Sequence, residues 1–366
     1  MNNLLHAPAG RPWIHAIYIA TLFAVGLNTP LRAEGGDAYR WSVQYLIDQS
    51  QSAFGRPQQI FPRHNRSIAI SPDGRYLYAS YHQSHEGEGE VRRIDLQIPE
   101  YVKGTLRVIP RITCKAIAVD DEGRVYLAAG NTIQIYDANL ARPQFQIETE
   151  TCEGVAVTRE GSTLVLWQSE RNMRVLRRWV LEKSGGTIVN AKLDGFDGTG
   201  EISIPNAESL RQITIDANQR VWVTDPVAGK VFRMDKDGNN ATSIDVKGAM
   251  AVGADGNRYF VTQSTERQIT ILDDAMAVVG TLKVPWEQLE LAPRGNHNNG
   301  AISGIVMLPG KGFFVTNERG QTTGQRSTYG KVDDYSEVIK DKLYVDTFAD
   351  DNEPILRAEP LTVAGQ

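Results

Sequence analysis

The stretch CKAIAVDDEGRVYLAAGNTIQIYDA, residues 114–138, contains the pattern that decides the fold. It begins with the apolar segment CKAIAV, which is followed by the polar turn DDEGR and a second apolar segment, VYLAA. The dipeptide GN then precedes TIQIYDA, in which apolar and polar residues alternate. Short alternating segments bounded by Gly, Asn and Asp are typical of β-strands joined by tight turns. The stretch therefore predicts three consecutive antiparallel strands.

The same unit of apolar strand, polar turn and aromatic-rich strand recurs along the chain. Its copies are SIAISPDGRYLYASY from Ser67, AIAVDDEGRVYLAA from Ala116, GVAVTREGSTLVLWQS from Gly154, QITIDANQRVWVTD from Gln212, AMAVGADGNRYFVTQ from Ala249 and GIVMLPGKGFFVTN from Gly304. The turn glycines of the first three copies recur every ~40–50 residues, which is the period of β-propeller blades. We therefore expect an all-β, six-bladed β-propeller with four-stranded antiparallel blades.

Candidate third and fourth strands complete five of these units. The predicted third strands begin at Glu90, Thr132, Met173, Lys230 and Gln268, and the predicted fourth strands begin at Gly104, Pro143, Thr187, Thr242 and Ala277. The sixth unit is instead followed by a polar, Gly-rich segment, and residues 41–48 and 342–348 are left to complete it. Because an unpaired strand edge invites aggregation, we expect the N-terminal strand to pair into the last blade and close the ring.

Two copies resemble the NHL/YVTN class of β-propellers. The resemblance rests on ISPDGRYLY, residues 70–78, and on VWVTD, residues 221–225. It implies a propeller over most of the chain and leaves the function open, because such families include lactonases, lyases, redox-enzyme subunits and binding scaffolds.

The N-terminal region has the order of a secretory signal peptide. Arg11 precedes an apolar segment, residues 13–27, and Leu31-Arg32-Ala33 precedes the acidic Glu34. This order predicts a signal peptide over residues 1–33 and a single β-propeller domain over residues 34–366. The apolar segment is shorter than the ~20 residues that span a bilayer, so we favour cleavage over an uncleaved membrane anchor. The mature protein is then periplasmic or secreted, without a membrane attachment.

Composition narrows the classes of partner. The chain has 366 residues, 41% hydrophobic and 23% charged, with a formal net charge of −5. These fractions are typical of a soluble globular protein, and the mild negative charge argues against a nucleic-acid partner. We expect a monomer.

Family geometry implies that the residues just before each first strand surround the mouth of the central channel. The candidate ligand-binding residues there are mainly basic around one acid: His64, Arg66, Lys115, Glu153, Arg211, Lys247 and His297. Arginine suits planar anionic groups, so this set predicts a binding or accessory module for a small-molecule anion or a protein partner. The alternative is that Glu153 only pairs with Lys115 or Arg211 to hold neighbouring blades together.

A metal site is the basis of a second functional hypothesis. Gluconolactonase-type propellers hold calcium at the channel mouth with Glu, Asn and Asp ligands, and Glu153, Asp225 and Asn317 are of these types. The resemblance thus implies calcium or another divalent cation and a metal-assisted lactonase, hydrolase or lyase. Basic neighbours would repel a metal, however, and Asp225 and Asn317 also suit turn capping. The loop HQSHEGEGE from His82 adds potential ligands without a defined zinc spacing, and it equally suits a solvated acidic loop.

The two cysteines occupy the same repeat position in neighbouring units. Cys114 and Cys152 precede the second and third copies. In an exported protein this placement predicts a disulfide between adjacent inner strands, provided that the Cα atoms lie within ~7 Å of each other. Two buried thiols or a redox pair are the alternatives.

Overall fold

Strands are the only regular secondary structure among the residues that the structure describes. The computed structural model describes residues 31–32, 38–44, 65–81, 89–97, 107–171, 173–196, 198–264, 266, 268–283, 301–308, 312–318 and 355–360. The strands are β1 Leu31–Arg32, β2 Ala38–Gln44, β3 Asn65–Ile70, β4 Tyr76–Tyr81, β5 Glu90–Asp95, β6 Arg107–Pro110, β7 Cys114–Val119, β8 Val125–Ala129, β9 Thr132–Tyr136, β10 Pro143–Glu148, β11 Gly154–Glu160, β12 Thr163–Ser169, β13 Val175–Ser184, β14 Thr187–Leu193, β15 Glu201–Ser203, β16 Ile213–Ile215, β17 Val221–Asp225, β18 Lys230–Met234, β19 Thr242–Asp245, β20 Ala249–Asp255, β21 Arg258–Gln263, β22 Gln268–Leu272, β23 Val278–Lys283, β24 Ala301–Leu308, β25 Gly312–Glu318 and β26 Ile355–Pro360.

Five sheets are blades built from four consecutive strands. In chain order the first to fifth blades are β3–β6, β7–β10, β11–β14, β16–β19 and β20–β23, and the short β15 pairs with β13. Their strands pair in antiparallel fashion, with each strand next to its neighbour in the chain. The prediction of four-stranded antiparallel blades is confirmed.

The turn chemistry quoted from the sequence forms the predicted reversal in the second blade. The side chain of Asp120 accepts hydrogen bonds from the backbone N–H groups of Glu122 at 3.0 Å and Arg124 at 2.8 Å. Gly123 adopts a φ of 83° there, a region that favours glycine. The polar turn therefore satisfies its own backbone and joins β7 to β8.

The remaining sheet combines strands from both ends of the chain. This composite sheet has the order β1-β2-β26-β25-β24 and joins Trp41 to Ala358 in antiparallel register. The prediction of six like blades is wrong in its count, because the sixth repeat supplies only β24 and β25 and the other strands come from distant segments. β2 includes part of the predicted N-terminal strand, β26 was not predicted, and residues 342–348 lie outside the described residues.

The predicted signal peptide lies outside the described residues except for β1. Cleavage after Ala33 would remove this short strand and leave β2 at the edge of the composite sheet. Within the described residues, no helix is both long and apolar enough to cross a bilayer.

The blades form a propeller ring with their first strands innermost. Strands β3, β7, β11, β16, β20 and β24 line a central cavity of about 280 Å³. Large side chains of the second strands pack between blades: Trp222 stacks on Tyr259 of the next blade with ring centroids 4.0 Å apart. Burial of such an apolar side chain contributes about 1.5–3 kcal/mol to stability.

Hydroxyl groups tie the second strand of one blade to the innermost strand of the next blade. Thr224 Oγ1 donates to the carbonyl oxygen of Met250 at 2.8 Å, and Thr262 Oγ1 donates to that of Ser303 at 2.9 Å. Both threonines lie in VT dipeptides one residue before the end of a second strand. These buried bonds therefore help to attach each blade to the next one around the ring.

Candidate ligand-binding site at the channel mouth

Four cationic side chains converge on one buried carboxylate at the mouth of the channel. Glu153 Oε2 lies 3.3 Å from Arg66 Nη2 and 3.6 Å from Arg211 Nη1. Glu153 Oε1 accepts a hydrogen bond from Lys115 Nζ and lies 3.9 Å from Arg171 Nε. We call these five residues the mouth cluster.

The cluster draws its members from four blades. Arg66 lies in β3 and Lys115 in β7, Glu153 directly precedes β11, and Arg211 precedes β16. Arg171 follows β12, so it belongs to the same blade as Glu153. Residues far apart in the sequence therefore meet because the first strands of successive blades begin at the same end of the ring.

Close contact between the third and fourth blades depends on Gly154. A Cβ atom at this position would lie 2.0 Å from the carbonyl oxygen of Arg211 and 2.6 Å from Ser169 Oγ. The hydroxyl of Ser169 donates to the same carbonyl oxygen. Glycine is thus the residue that lets β11 approach Arg211 and places Glu153 beside the guanidinium group.

A hydrogen bond spans the second and fourth blades below the cluster. Gln212 Nε2 donates to the carbonyl oxygen of Lys115 at 3.0 Å. Gln212 also lines the central cavity. This side chain therefore lies at the junction between the mouth cluster and the channel.

The charges of the mouth cluster are unequal. Four cations surround one carboxylate, so the five residues of the mouth cluster together carry a net charge of +3. The Glu153 side chain is 1% exposed, whereas those of Arg66, Lys115 and Arg211 are 12%, 14% and 20% exposed. The carboxylate lies beneath cations that still reach solvent.

The cations keep Glu153 ionised. Burial would raise the pKa of this carboxyl, but Arg66, Arg211 and Lys115 outweigh burial and hold its pKa below the ordinary value. Burial lowers the pKa of Lys115, and the carboxylate of Glu153 opposes that shift. The cluster thus contains a charged acid at neutral pH.

The structure brings together four of the predicted ligand-binding residues: Arg66, Lys115, Glu153 and Arg211. The pairs of Glu153 with Lys115 and Arg211, expected if the acid holds blades together, are both present. Lys247 does not join the cluster; its side chain is 77% exposed and pairs with Glu266 at 3.0 Å. His64 and His297 lie outside the described residues.

Sequence reasoning missed Arg171. The predicted ligand-binding residues all came from positions before first strands, and the ends of second strands were considered only for metal ligands. Arg171 follows a second strand. The repeat alignment could have predicted it, because second strands end at the same end of a blade at which first strands begin. The adjacent Glu170 is buried and pairs with Arg177.

Two of the three predicted metal ligands, Glu153 and Asp225, have other partners in the structure. Glu153 is surrounded by cations, and both carboxylate oxygens of Asp225 accept backbone N–H groups, those of Glu208, Ser209, Val227 and Ala228. The side chain of Asn317 and the loop of residues 82–88 lie outside the described residues. In the described part of the chain, no three His, Cys, Asp or Glu side chains are grouped to hold a metal ion. The calcium or divalent cation stays a prediction.

The predicted disulfide between Cys114 and Cys152 is absent from the structure. Both thiols are free and buried. Cys114 Sγ donates to the carbonyl oxygen of Ala116 at 3.2 Å, and Cys152 Sγ contacts that of Gly154 at 3.7 Å. Each thiol thus contacts the carbonyl oxygen of the residue two positions further along its own chain segment. Burial raises the pKa of Cys114 to about 12 and also raises the pKa of Cys152, which makes both thiols poor nucleophiles.

Comparison with known proteins identifies the architecture. No protein-family model and no curated protein matches the chain. A chain in the crystal structure of a nidogen/laminin complex aligns with a TM-score of 0.51 at 14% identity, over 75% of this chain and 95% of that one. The chain has a β-propeller fold. A catalytically inactive virginiamycin B lyase from Staphylococcus aureus, crystallised with quinupristin, aligns with a TM-score of 0.46 at 13% identity, over 77% of this chain and 82% of that one. Such low identities show the fold alone and carry no information about a ligand.

Proposed function

We propose that this protein is an exported binding propeller that takes a small anion at the mouth of its channel. The observation that carries the proposal is the unequal charge of the mouth cluster, four cations on one carboxylate. A purely structural ion pair is most stable when its charges balance, because an uncompensated buried charge is costly. A recessed group of surplus cations also raises the local concentration of anions.

The proposal includes a closed ring in which the composite sheet takes the sixth blade position. Contacts on both sides of β24 support this arrangement. A Cβ atom at Gly304 would lie 3.2 Å from the Cα atom of Ser67 in the first blade. On the other side, Ser303 accepts the hydrogen bond from Thr262 of the fifth blade. Export rests on the N-terminal sequence, and NHL-type ancestry rests on the repeat motifs.

A small anion suits the mouth better than a protein side chain. Three of the four cations have side chains that are at most 20% exposed, so a ligand must be narrow to reach them. The nidogen/laminin likeness leaves a protein partner as a related hypothesis. Such a partner would have to insert an acidic group into the same recess.

Calorimetric titration with sulfate tests the proposal. Wild-type protein should bind sulfate, and Arg66→Gln and Arg211→Gln should each weaken binding about tenfold, because each loses a charge-assisted contact. Arg159→Gln is the matched control, since Arg159 lies at the other end of β11. Urea unfolding checks that every variant folds. Absence of sulfate binding to the wild type, or equal binding by folded Arg66→Gln and Arg211→Gln, would overturn the proposal.

A further inference from the structure

The central cavity is a second candidate site, separate from the mouth cluster. It has a volume of about 280 Å³, and none of the five residues of the mouth cluster lines it. The side chains around it are mostly aliphatic, and no charged residue is among the described residues that line it. Because an unpaired charge is costly to move into such a site, the cavity suits a small uncharged ligand.

The backbone edges of the six first strands supply polar groups to the lining. Each of these strands lies at the end of its sheet, so one of its edges has no partner among the described strands. Consecutive residues of every first strand line the cavity: 67–70, 117–119, 155–157, 212–215, 251–254 and 304–307. A strand that presented one face would contribute alternate residues. The free edges, with their backbone N–H and C=O groups, therefore face the cavity.

Side chains of neighbouring blades satisfy some of these edge groups. Ser67 Oγ accepts a hydrogen bond from the backbone N–H of Ile117 at 3.1 Å. Thr214 Oγ1 donates to the carbonyl oxygen of Val252 at 2.5 Å. Buried backbone groups are almost always paired, so an edge group without such a side chain needs a partner inside the cavity. Water or a hydrogen-bonding ligand can be that partner.

One side-chain amide shows which chemistry fits a strand edge here. Gln212 lines the cavity, and its Nε2 atom donates to the carbonyl oxygen of Lys115 at 3.0 Å. This bond joins the fourth blade to the second and skips the third, so the carboxamide lies on the channel side of β11. The backbone of Gln212 is fixed in turn, because its carbonyl oxygen accepts the N–H of Thr224 at 3.1 Å. A carboxamide held by one blade thus bonds to the inner strand of another.

We propose that the central cavity binds a small uncharged amide. An amide carries a donor and an acceptor side by side, as a strand edge does, so it can bond to two edges at once. Its apolar part contacts aliphatic side chains of the lining, such as those of Val119 and Val157. An amide also reproduces the hydrogen bonds of the water that it displaces, so those bonds are not lost when it enters.

Two anomalous scatterers of opposite chemistry test this inference in crystals of the wild-type protein. Selenourea, the selenium analogue of urea, is small and uncharged and forms hydrogen bonds, whereas xenon enters dry apolar cavities. A selenourea soak should give an anomalous peak inside the cavity, and xenon pressurisation should give none there. Selenourea peaks confined to the protein surface, or a xenon peak inside the cavity, would overturn the inference.

Gln212→Ala provides a second measurement. Loss of the carboxamide frees the carbonyl oxygen of Lys115 and leaves a space the size of an amide, so a further selenourea peak should appear within hydrogen-bonding distance of this oxygen. Gln146→Ala is the matched control, because the amide of Gln146 donates to the exposed side chain of Glu148 and not to a strand edge. The control should gain no peak.

A crystal of Gln212→Ala without the further peak would contradict the idea that strand edges select an amide. Should this variant not fold, the selenourea and xenon experiments on the wild-type protein decide. All of these outcomes are independent of the sulfate titration, because the mouth cluster and the cavity lining share no residue.

Discussion

The two ends of strand β11 carry charge clusters of opposite character. At its start, the mouth cluster sets one carboxylate against four cations. At its end lies a second group, here called the turn cluster, which contains three carboxylates and three cations: Asp120, Asp121, Glu122, Arg124, Arg159 and Lys183. One cluster has a positive excess and the other is neutral.

The difference is what we expect if the turn cluster has a structural role and the mouth cluster, as proposed, binds an anion. The turn cluster joins the second and third blades through short contacts, such as the 2.6 Å pair between Arg159 and Glu122. Hydrogen bonds from Arg124 and Lys183 lower the pKa of Glu122 to about 2, so the cations of the turn cluster keep this carboxylate ionised. The mouth cluster also joins blades, but it keeps cations beyond those that Glu153 requires. Balanced charge suffices to attach neighbouring blades, whereas the additional cations of the mouth cluster fit the proposed anionic ligand.

The largest effect on stability should come from Glu153→Gln. Its loss leaves four neighbouring cations without their shared carboxylate, and breaking a buried ion pair in this way costs about 3–5 kcal/mol. Asp121→Asn in the turn cluster is the control, because the side chain of Asp121 is exposed and exposed ion pairs contribute about 0–1 kcal/mol. Urea unfolding at neutral pH measures both. A loss below 1 kcal/mol for Glu153→Gln would contradict the account.

Gly154→Ala should have the next largest effect. The new methyl group meets the backbone of Arg211, which cannot move aside cheaply, and such overpacking costs about 3 kcal/mol. Gly161→Ala at the other end of β11 has free space but a φ of +62°, so it should cost about 1–2 kcal/mol.

Sulfate affinity distinguishes these two glycine variants more sharply than stability does. Gly154→Ala displaces Arg211 and should weaken sulfate binding, whereas Gly161→Ala should bind like the wild type. Equal affinities in both folded variants would show that the close approach of β11 does not position the cluster.

Acid should remove the contribution of Glu153. The folded-state pKa of Glu153 lies below its ordinary value of 4.5, so its stabilising effect is present above pH 4.5 and is lost as the pH falls through the folded-state pKa. The difference in unfolding free energy between wild type and Glu153→Gln should therefore shrink below pH 4.5. A difference that grows in acid would show that the carboxyl is raised, not lowered, in pKa.

The smallest effect should be that of reducing agents. Because both thiols are free and buried, dithiothreitol should leave the melting temperature unchanged. A thiol reagent should react slowly with the native protein and count two thiols after unfolding. A drop in melting temperature on reduction would instead support the disulfide that the sequence predicted.

The five blades could be predicted from the sequence because their strand pattern is local and repeats along the chain. The strand–turn–strand copies fix the blades, because period-two alternation and turn residues act within a few residues of each other. The composite sheet was not predictable in full, since its strands β2 and β26 pair across almost the whole chain and carry no repeat signature. The positions of Arg66, Lys115, Glu153 and Arg211 followed from the repeat alignment. The unequal number of cations and carboxylates in the mouth cluster could not be predicted, because it depends on which side chains meet in the folded ring.

The disulfide prediction shows a limit of the same alignment. Equivalent repeat positions place Cys114 and Cys152 at the same height in neighbouring blades, but they do not fix the direction of each Sγ atom. Local carbonyl oxygens capture both thiols instead. Arg171 was missed for a related reason, because the ends of second strands were considered for metal ligands and not for cationic residues of the mouth.

Selenate, a compact dianion that scatters anomalously, tests the central claim most directly. A crystal of the wild-type protein soaked in selenate should show an anomalous peak within hydrogen-bonding distance of Arg66, Arg171 and Arg211, above Glu153. A mouth without a peak, in crystals where selenate occupies the turn cluster or other surface sites, would contradict the claim that the excess charge forms an anion site.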